Sequence, residues 1–239
     1  VLDATRGKVG DPFLILRAAA EAAERALVLD PRSAARMIGE PGGLPTPWPG
    51  HARESLVRLL AAGDGLRGVW ETLEETGGIA KLLPEWERVA LLPHESVVHK
   101  FTVDRHLVET CVEASSLIRK VARPDLLVVA ALLHDLGKGQ GGDHSITGEP
   151  IAIEIARRVG FPDADVNVIA TLVRWHLLLV QTATTRDLDD PATIATVTDS
   201  IATREELDLL TALTEADAKA TGGKAWTNWR ASLISELAR

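Results

Sequence analysis

Eight consecutive apolar residues, Leu126-Leu-Val-Val-Ala-Ala-Leu-Leu133, run straight into His134-Asp135. A segment apolar on every side belongs in the middle of a core, since a surface helix keeps one polar face. The run is far too short to cross a bilayer. Whatever this chain folds into, it carries an imidazole and a carboxylate to the end of a buried element. The flanking text is helical in character. Apolar residues recur mostly at spacings of three and four, few stretches alternate with period two, and there is no Tyr. The fold class expected is therefore all-α. About ten helices are predicted, including Pro12–Leu29, Arg32–Ile38, His51–Ala62 and Leu66–Glu75 in the first part. In the second they are Asp104–Lys120, Pro124–Leu136, Gly148–Val159, Asp163–Val180, Pro191–Ile201, Glu205–Ala220 and Trp226–Leu237. Glu40 to Gly50, rich in Pro and Gly, reads as the most loop-like segment.

Other ionisable residues sit where apolar ones are due. Ile169, Leu172, Val173 and Val180 lie three, four or seven positions from His176, which places it on an apolar stripe. Leu210 and Leu213 lie seven and four residues before Asp217. Each residue alone has a plain structural explanation: a histidine satisfied by one hydrogen bond, or an aspartate at a helix start or in an ion pair. An unpaired buried carboxylate costs several kcal/mol or takes up a proton. Several such groups in one core call for a shared explanation, and a cation supplies it most economically. The donors are nitrogen and carboxylate oxygen without sulfur, which suits Mn, Fe, Mg, Co or Zn in a hydrolytic site better than a structural zinc. The single cysteine, Cys111, excludes an internal disulfide and a cysteine-based zinc knuckle. Lys138, between Gly137 and Gly139, is placed either to meet an anion or simply to lie solvated at a helix C-terminus. The two glycines are expected to end the helix and leave room for a substrate.

Charge bounds the partners. With 26 Lys and Arg against 34 Asp and Glu, the net charge is −8. That disfavours general binding to nucleic acid or to an anionic membrane. No leader segment is evident. The chain opens on Val1, which reads as a piece of something longer.

In order along the chain, His106, His134-Asp135 and Asp217 resemble the H…HD…D signature of the HD superfamily of metal-dependent phosphohydrolases. His144 and His176 extend the series to the pattern of the HD subgroup that binds two metals. The resemblance implies that His106, His134, Asp135 and Asp217 hold one ion. It also implies that Asp135 bridges to a second ion completed by His144 and His176. The text His99-Lys-Phe-Thr-Val-Asp-Arg-His106, Leu133-His-Asp-Leu-Gly-Lys-Gly139, Gly142-Asp-His-Ser145 and Thr185-Arg-Asp-Leu-Asp-Asp-Pro191 is similar to the HD domain of the bifunctional PII uridylyltransferase/uridylyl-removing enzymes. The similarity covers about Leu92 to Ala220.

This implies an HD-domain-like helical bundle over residues 93–239. Residues 1–92 would be an additional helical region, lying between nucleotidyltransferase and HD domains. The longer protein would also carry ACT domains, and neither those nor a nucleotidyltransferase signature occurs in this chain. The implied activity is cytoplasmic hydrolysis of the phosphodiester that joins UMP, or AMP, to a tyrosine of the PII signal protein. Two divalent metal ions would activate water, and Asp135 and Lys138 would be the catalytic side chains, Lys138 by stabilising the phosphate. Asp143 and His99 are read as orienting or proton-carrying groups, or else as a turn residue and a loop histidine. Thr185-Arg186-Asp187 is read as shaping the entrance, and Glu215 as solvated. Rival readings are another HD phosphohydrolase acting on nucleotides or cyclic dinucleotides, a tRNA-processing HD module, and a non-catalytic helical docking module.

Overall fold

The computed structural model describes residues 11–38, 43–93 and 101–239. Among these residues the fold is helical without strands. Five helices form the first part: α1 (Leu14–Glu24), α2 (Pro31–Ile38), α3 (Gly50–Leu60), α4 (Gly65–Glu75) and α5 (Gly78–Leu82). A 3-10 turn, Pro84–Arg88, follows. The second part contains α6 (Val103–Ser115), α7 (Pro124–Leu133), α8 (His144–Val159) and α9 (Asp163–Trp175). It ends with α10 (Leu178–Thr185), α11 (Pro191–Thr198), α12 (Arg204–Thr221) and α13 (Asn228–Leu237).

The apolar run is the axis of the second part. Pro124 opens α7, where its missing N–H costs nothing, and Asp125 lies in the first turn. Every residue from Leu126 to Leu133 is buried. Helices α6, α9 and α12 pack around α7, and α3 reaches it from the first part. One apolar cluster runs without interruption from Phe13 to Leu237.

Charged struts tie the two parts together. Glu85 takes a two-pronged hydrogen bond from Arg158 of α8, at 2.6 and 2.7 Å. Glu109 of α6 is clamped by Arg67 of α4 and by Arg105.

Close backbone approach fixes α1 against α4. A Cβ at Gly65 would overlap the carbonyl oxygen of Ala23 and lie 2.9 Å from its carbonyl carbon. Backbone cannot yield as a flexible side chain does, so overpacking should be felt directly. Gly65→Ala is expected to cost about 1–3 kcal/mol, read as a lowered urea midpoint with unchanged slope.

Several helix limits differ from the sequence expectation. Asp104–Lys120 divides into α6 and a 3-10 turn at Ile118–Lys120. The helix expected to run to Leu136 ends at Leu133, and the one expected over Asp163–Val180 breaks after Trp175. By length and composition Asp163–Thr185 is apolar enough to cross a membrane. Here that stretch is broken at His176-Leu177, and most of its apolar side chains lie in the core or pack against it. Helix α8 starts at His144, four residues before the expected Gly148.

Candidate metal centre

Local backbone geometry aims the histidines. His134 and His176 occupy the same position, the C-cap residue of α7 and of α9. Each uses Nδ1 to reach a carbonyl three residues back, Ala131 at 2.9 Å and Val173 at 2.8 Å. A carbonyl only accepts, so Nδ1 must donate. Nε2 of the neutral ring is then left with a bare lone pair. Both helix ends thus gain a partner for a terminal carbonyl, and both imidazoles turn Nε2 inward with its lone pair free to bind a cation.

His106, on α6, and Asp217, on α12, face these groups across α7. His106 Nε2 lies 3.0 Å from Asp217 Oδ1, 3.3 Å from His134 Nε2 and 3.7 Å from Asp135 Oδ2. His134 Nε2 lies 3.5 Å from Asp135 Oδ2 and 3.7 Å from Asp217 Oδ1. On the other side of the same carboxylate, Asp135 Oδ1 is 3.3 Å from His144 Nε2 and 3.6 Å from His176 Nε2. Those two nitrogens are 3.3 Å apart.

All six residues therefore meet. Five of them form two groups that share Asp135, His106 with His134 and His144 with His176, each with donor atoms close enough to hold a metal ion; Asp217 borders the first group through His106 and His134. Donors about 2.1 Å from a tetrahedral ion sit about 3.4 Å from one another, which is the spacing found here. Asp135 Oδ1 is buried and makes no hydrogen bond within the described residues. A buried carboxylate oxygen left in that state is costly. Facing two imidazole nitrogens, it fits a divalent cation.

Electrostatics favour protonation states that suit a cation. Burial pushes the His134 imidazole down to about 4, so it is neutral at physiological pH. Burial also lowers His144. For Asp217, burial pushes upward, but the hydrogen bond with His106 and the nearby imidazoles hold the carboxyl well below the usual carboxylate range. Asp135 is also held low against its burial, by His134, the Lys138 ammonium, His176 and His106. Neutral imidazole and ionised carboxylate are the forms that bind metal.

The centre opens on one side. His106, His134, Asp135 and His176 are buried, whereas His144, Lys138 and Asp217 keep 26, 21 and 18 % of their side-chain surface. The Lys138 ammonium pairs with Asp135 Oδ2, at this open side. Thr110, fully buried one turn along α6 from His106, has its hydroxyl 3.5 Å from His106 Nε2. That hydroxyl donates to the His106 carbonyl at 2.8 Å.

Other sequence expectations fare differently. Asp143 is the N-cap of α8, accepting from Ser145 N at 2.9 Å, which matches the turn reading. Thr185, Arg186 and Asp187 build the α10–α11 connection, where Arg186 donates to Thr196 and Asp187 accepts from Asp189 N. Glu215 is not merely solvated: it is half-buried and paired with Lys120, at 3.1 Å, and Lys219, at 2.6 Å. Gly137 does not make room for substrate, because backbone of α8 fills that space. His99 lies outside the described residues.

Residues 103–204 match the family model for the HD domain, a span that takes in every ligand candidate except Asp217. The whole chain is 54 % identical, over 239 residues, to a bifunctional uridylyltransferase/uridylyl-removing enzyme of Streptomyces coelicolor, covering 29 % of that protein. It is 47 % identical over 230 residues to the enzyme of that name from Mycobacterium tuberculosis, with 96 % of this chain and 28 % of the relative covered. For the Gluconobacter oxydans enzyme the figures are 42 % over 180 residues, with 69 % and 19 % covered. The chain thus spans less than a third of the length of these relatives. Motif order, helical fold and similarity along the sequence agree: this chain carries an HD domain and belongs, as a segment, to the bifunctional uridylyltransferase/uridylyl-removing enzyme family.

Proposed function

We propose that this segment is the hydrolytic, nucleotide-removing unit of such an enzyme. It cleaves the phosphodiester between UMP, or AMP, and a tyrosine of the PII signal protein. The observation that carries the reading is one buried carboxylate, Asp135, shared by two groups of imidazole donors. His106, His134, Asp135 and Asp217 would hold one divalent ion, and Asp135, His144 and His176 a second. Such a pair, when bound, lowers the pKa of water and clamps a phosphoryl group for in-line displacement. The protein's own part is positional and electrostatic. His134 and His176 are locked by their carbonyl bonds, so the Nε2 atoms need little reorganisation. Lys138, partly exposed at the open side, is placed to offset charge building on the phosphoryl oxygens. The tyrosine oxygen leaves as phosphorus gains the oxygen of water.

In the longer protein we place residues 1–92 between a nucleotidyltransferase domain and the HD domain of residues 93–239, with ACT domains elsewhere and a cytoplasmic setting. The struts Arg158–Glu85 and Arg67–Glu109 support this arrangement, since they tie α4 and the 3-10 turn at Pro84–Arg88 to α6 and α8.

The test offers this chain UMP- and AMP-modified PII beside nucleoside monophosphates and cyclic dinucleotides, with Mn²⁺ and with EDTA. Release of nucleotide from PII is expected with Mn²⁺ and should vanish under EDTA. Equal or faster turnover of the small phosphoesters would point to another HD phosphohydrolase. A metal-loaded, folded chain that binds PII and releases nothing would leave a docking module.

A further inference from the structure

We propose that Gly137 and Thr147 are positioning residues that set His144 against Asp135 and so control the second ligand group separately from the first. The inference rests on the two-ion reading above. It starts from a crossing of backbones. A Cβ at Gly137 would overlap the carbonyl oxygen of His144 and lie 2.5 Å from Gly148 N and 2.7 Å from Thr147 Oγ1. Two of those three atoms are backbone of the first turns of α8, which cannot swing aside. Gly148 faces back: its own Cβ would lie 3.4 Å from Gly137 N and 3.3 Å from Val173 Cγ1. The turn after Asp135 and the start of α8 therefore touch through two residues without side chains.

One hydrogen bond registers the contact. Thr147 Oγ1 donates to Gly137 O at 3.0 Å, the shortest of its three carbonyl approaches; those to Asp143 and His144 are 3.3 and 3.4 Å. His144 is the first residue of α8, so its ring goes where this turn goes. Its Nε2 lies 3.3 Å from both Asp135 Oδ1 and His176 Nε2, and a shift of about 1 Å would take it outside ligating geometry. The first group draws His106, His134 and Asp217 from α6, the end of α7 and α12, whereas the three atoms nearest a Cβ at Gly137 all belong to α8. Only Asp135 is common to both.

The experiment is titration of the metal-free chain with Mn²⁺ by calorimetry, on wild type, Gly137→Ala, Thr147→Val and Thr147→Ser. Wild type should take up two ions. Gly137→Ala should retain the first and lose measurable uptake of the second. Thr147→Val should weaken the second on the order of 10–100-fold with the first unchanged, and Thr147→Ser should restore it. Should Gly137→Ala fail to fold, the Thr147 pair decides the matter alone. Folded variants that keep both ions at wild-type affinity, or that weaken both equally, overturn the proposal. Wild type taking up fewer than two ions would instead remove the two-ion reading on which it stands.

Discussion

Under the proposed function, Asp135→Asn should lower release of nucleotide from modified PII on the order of 10³-fold or more while leaving the helical content of the chain intact. The amide keeps the size of the side chain but removes the charge and one oxygen from a place where both oxygens are used. Oδ2 belongs to the group with His106 and His134, and Oδ1 to the group with His144 and His176. Uptake of both ions should therefore weaken together. His106→Ala is expected to weaken one and His144→Ala the other. The stabilisation that metal confers gives a second measurement. A ligand at one hundred times its dissociation constant adds about 2.7 kcal/mol to the folded state, so Mn²⁺ should raise the wild-type Tm by several degrees. It should do little for the Asn variant. An Asn variant within tenfold of wild-type activity, or one whose Tm still responds fully to Mn²⁺, would refute the shared role of this carboxylate.

Much of this centre was legible in the sequence because ionisable residues on apolar stripes announce themselves. His176 beside Ile169, Leu172 and Val173 is buried at 1 % exposure, as its stripe requires. What periodicity could not show is where helices stop. Leu136 and Leu178 are both buried just past the ends of α7 and α9, so the apolar pattern continues through the breaks. No Gly or Pro stands at His134 or at His176 to mark them. The stop is made instead by the histidines, whose Nδ1 atoms bond to the last-turn carbonyls. The start of α8 was displaced for a different reason. A proline usually belongs in a first turn, and Pro150 lies two residues after the expected start at Gly148. The real start is the Asp143 cap, and Pro150 sits inside the helix. That difference matters chemically, because it moves His144 from a loop onto the first turn of a helix docked on Gly137. The close crossing itself has no signature in sequence: a glycine needed for close approach reads like a glycine needed for a turn.

The metal-free protein should lose stability in acid in two stages, and the first should trace to His134. Burial holds its native pKa at about 4, whereas the unfolded chain takes up a proton at about 6.5. Between those values the unfolded state binds more protons, so stability falls as pH falls from about 6.5 to about 4. The full difference amounts to about 3 kcal/mol, a large share of the margin of an ordinary domain. His144 is shifted in the same direction and adds to this limb. The second stage belongs to the carboxylates. Asp135 and Asp217 are held below the ordinary value of 3.8, so the stability they contribute is present above that pH and is lost as pH falls beneath it. Urea midpoints of the EDTA-treated chain at pH 7, 5.5 and 4.5 should therefore decline before Asp135 and Asp217 titrate. His134→Gln, which cannot take up the proton and can still donate toward the Ala131 carbonyl, should flatten that decline. Equal slopes in the two proteins across this range would mean that the neutral, buried imidazole does not govern the acid limb. Mn²⁺ should steepen the wild-type limb further, since protons and metal compete for the same Nε2 lone pairs.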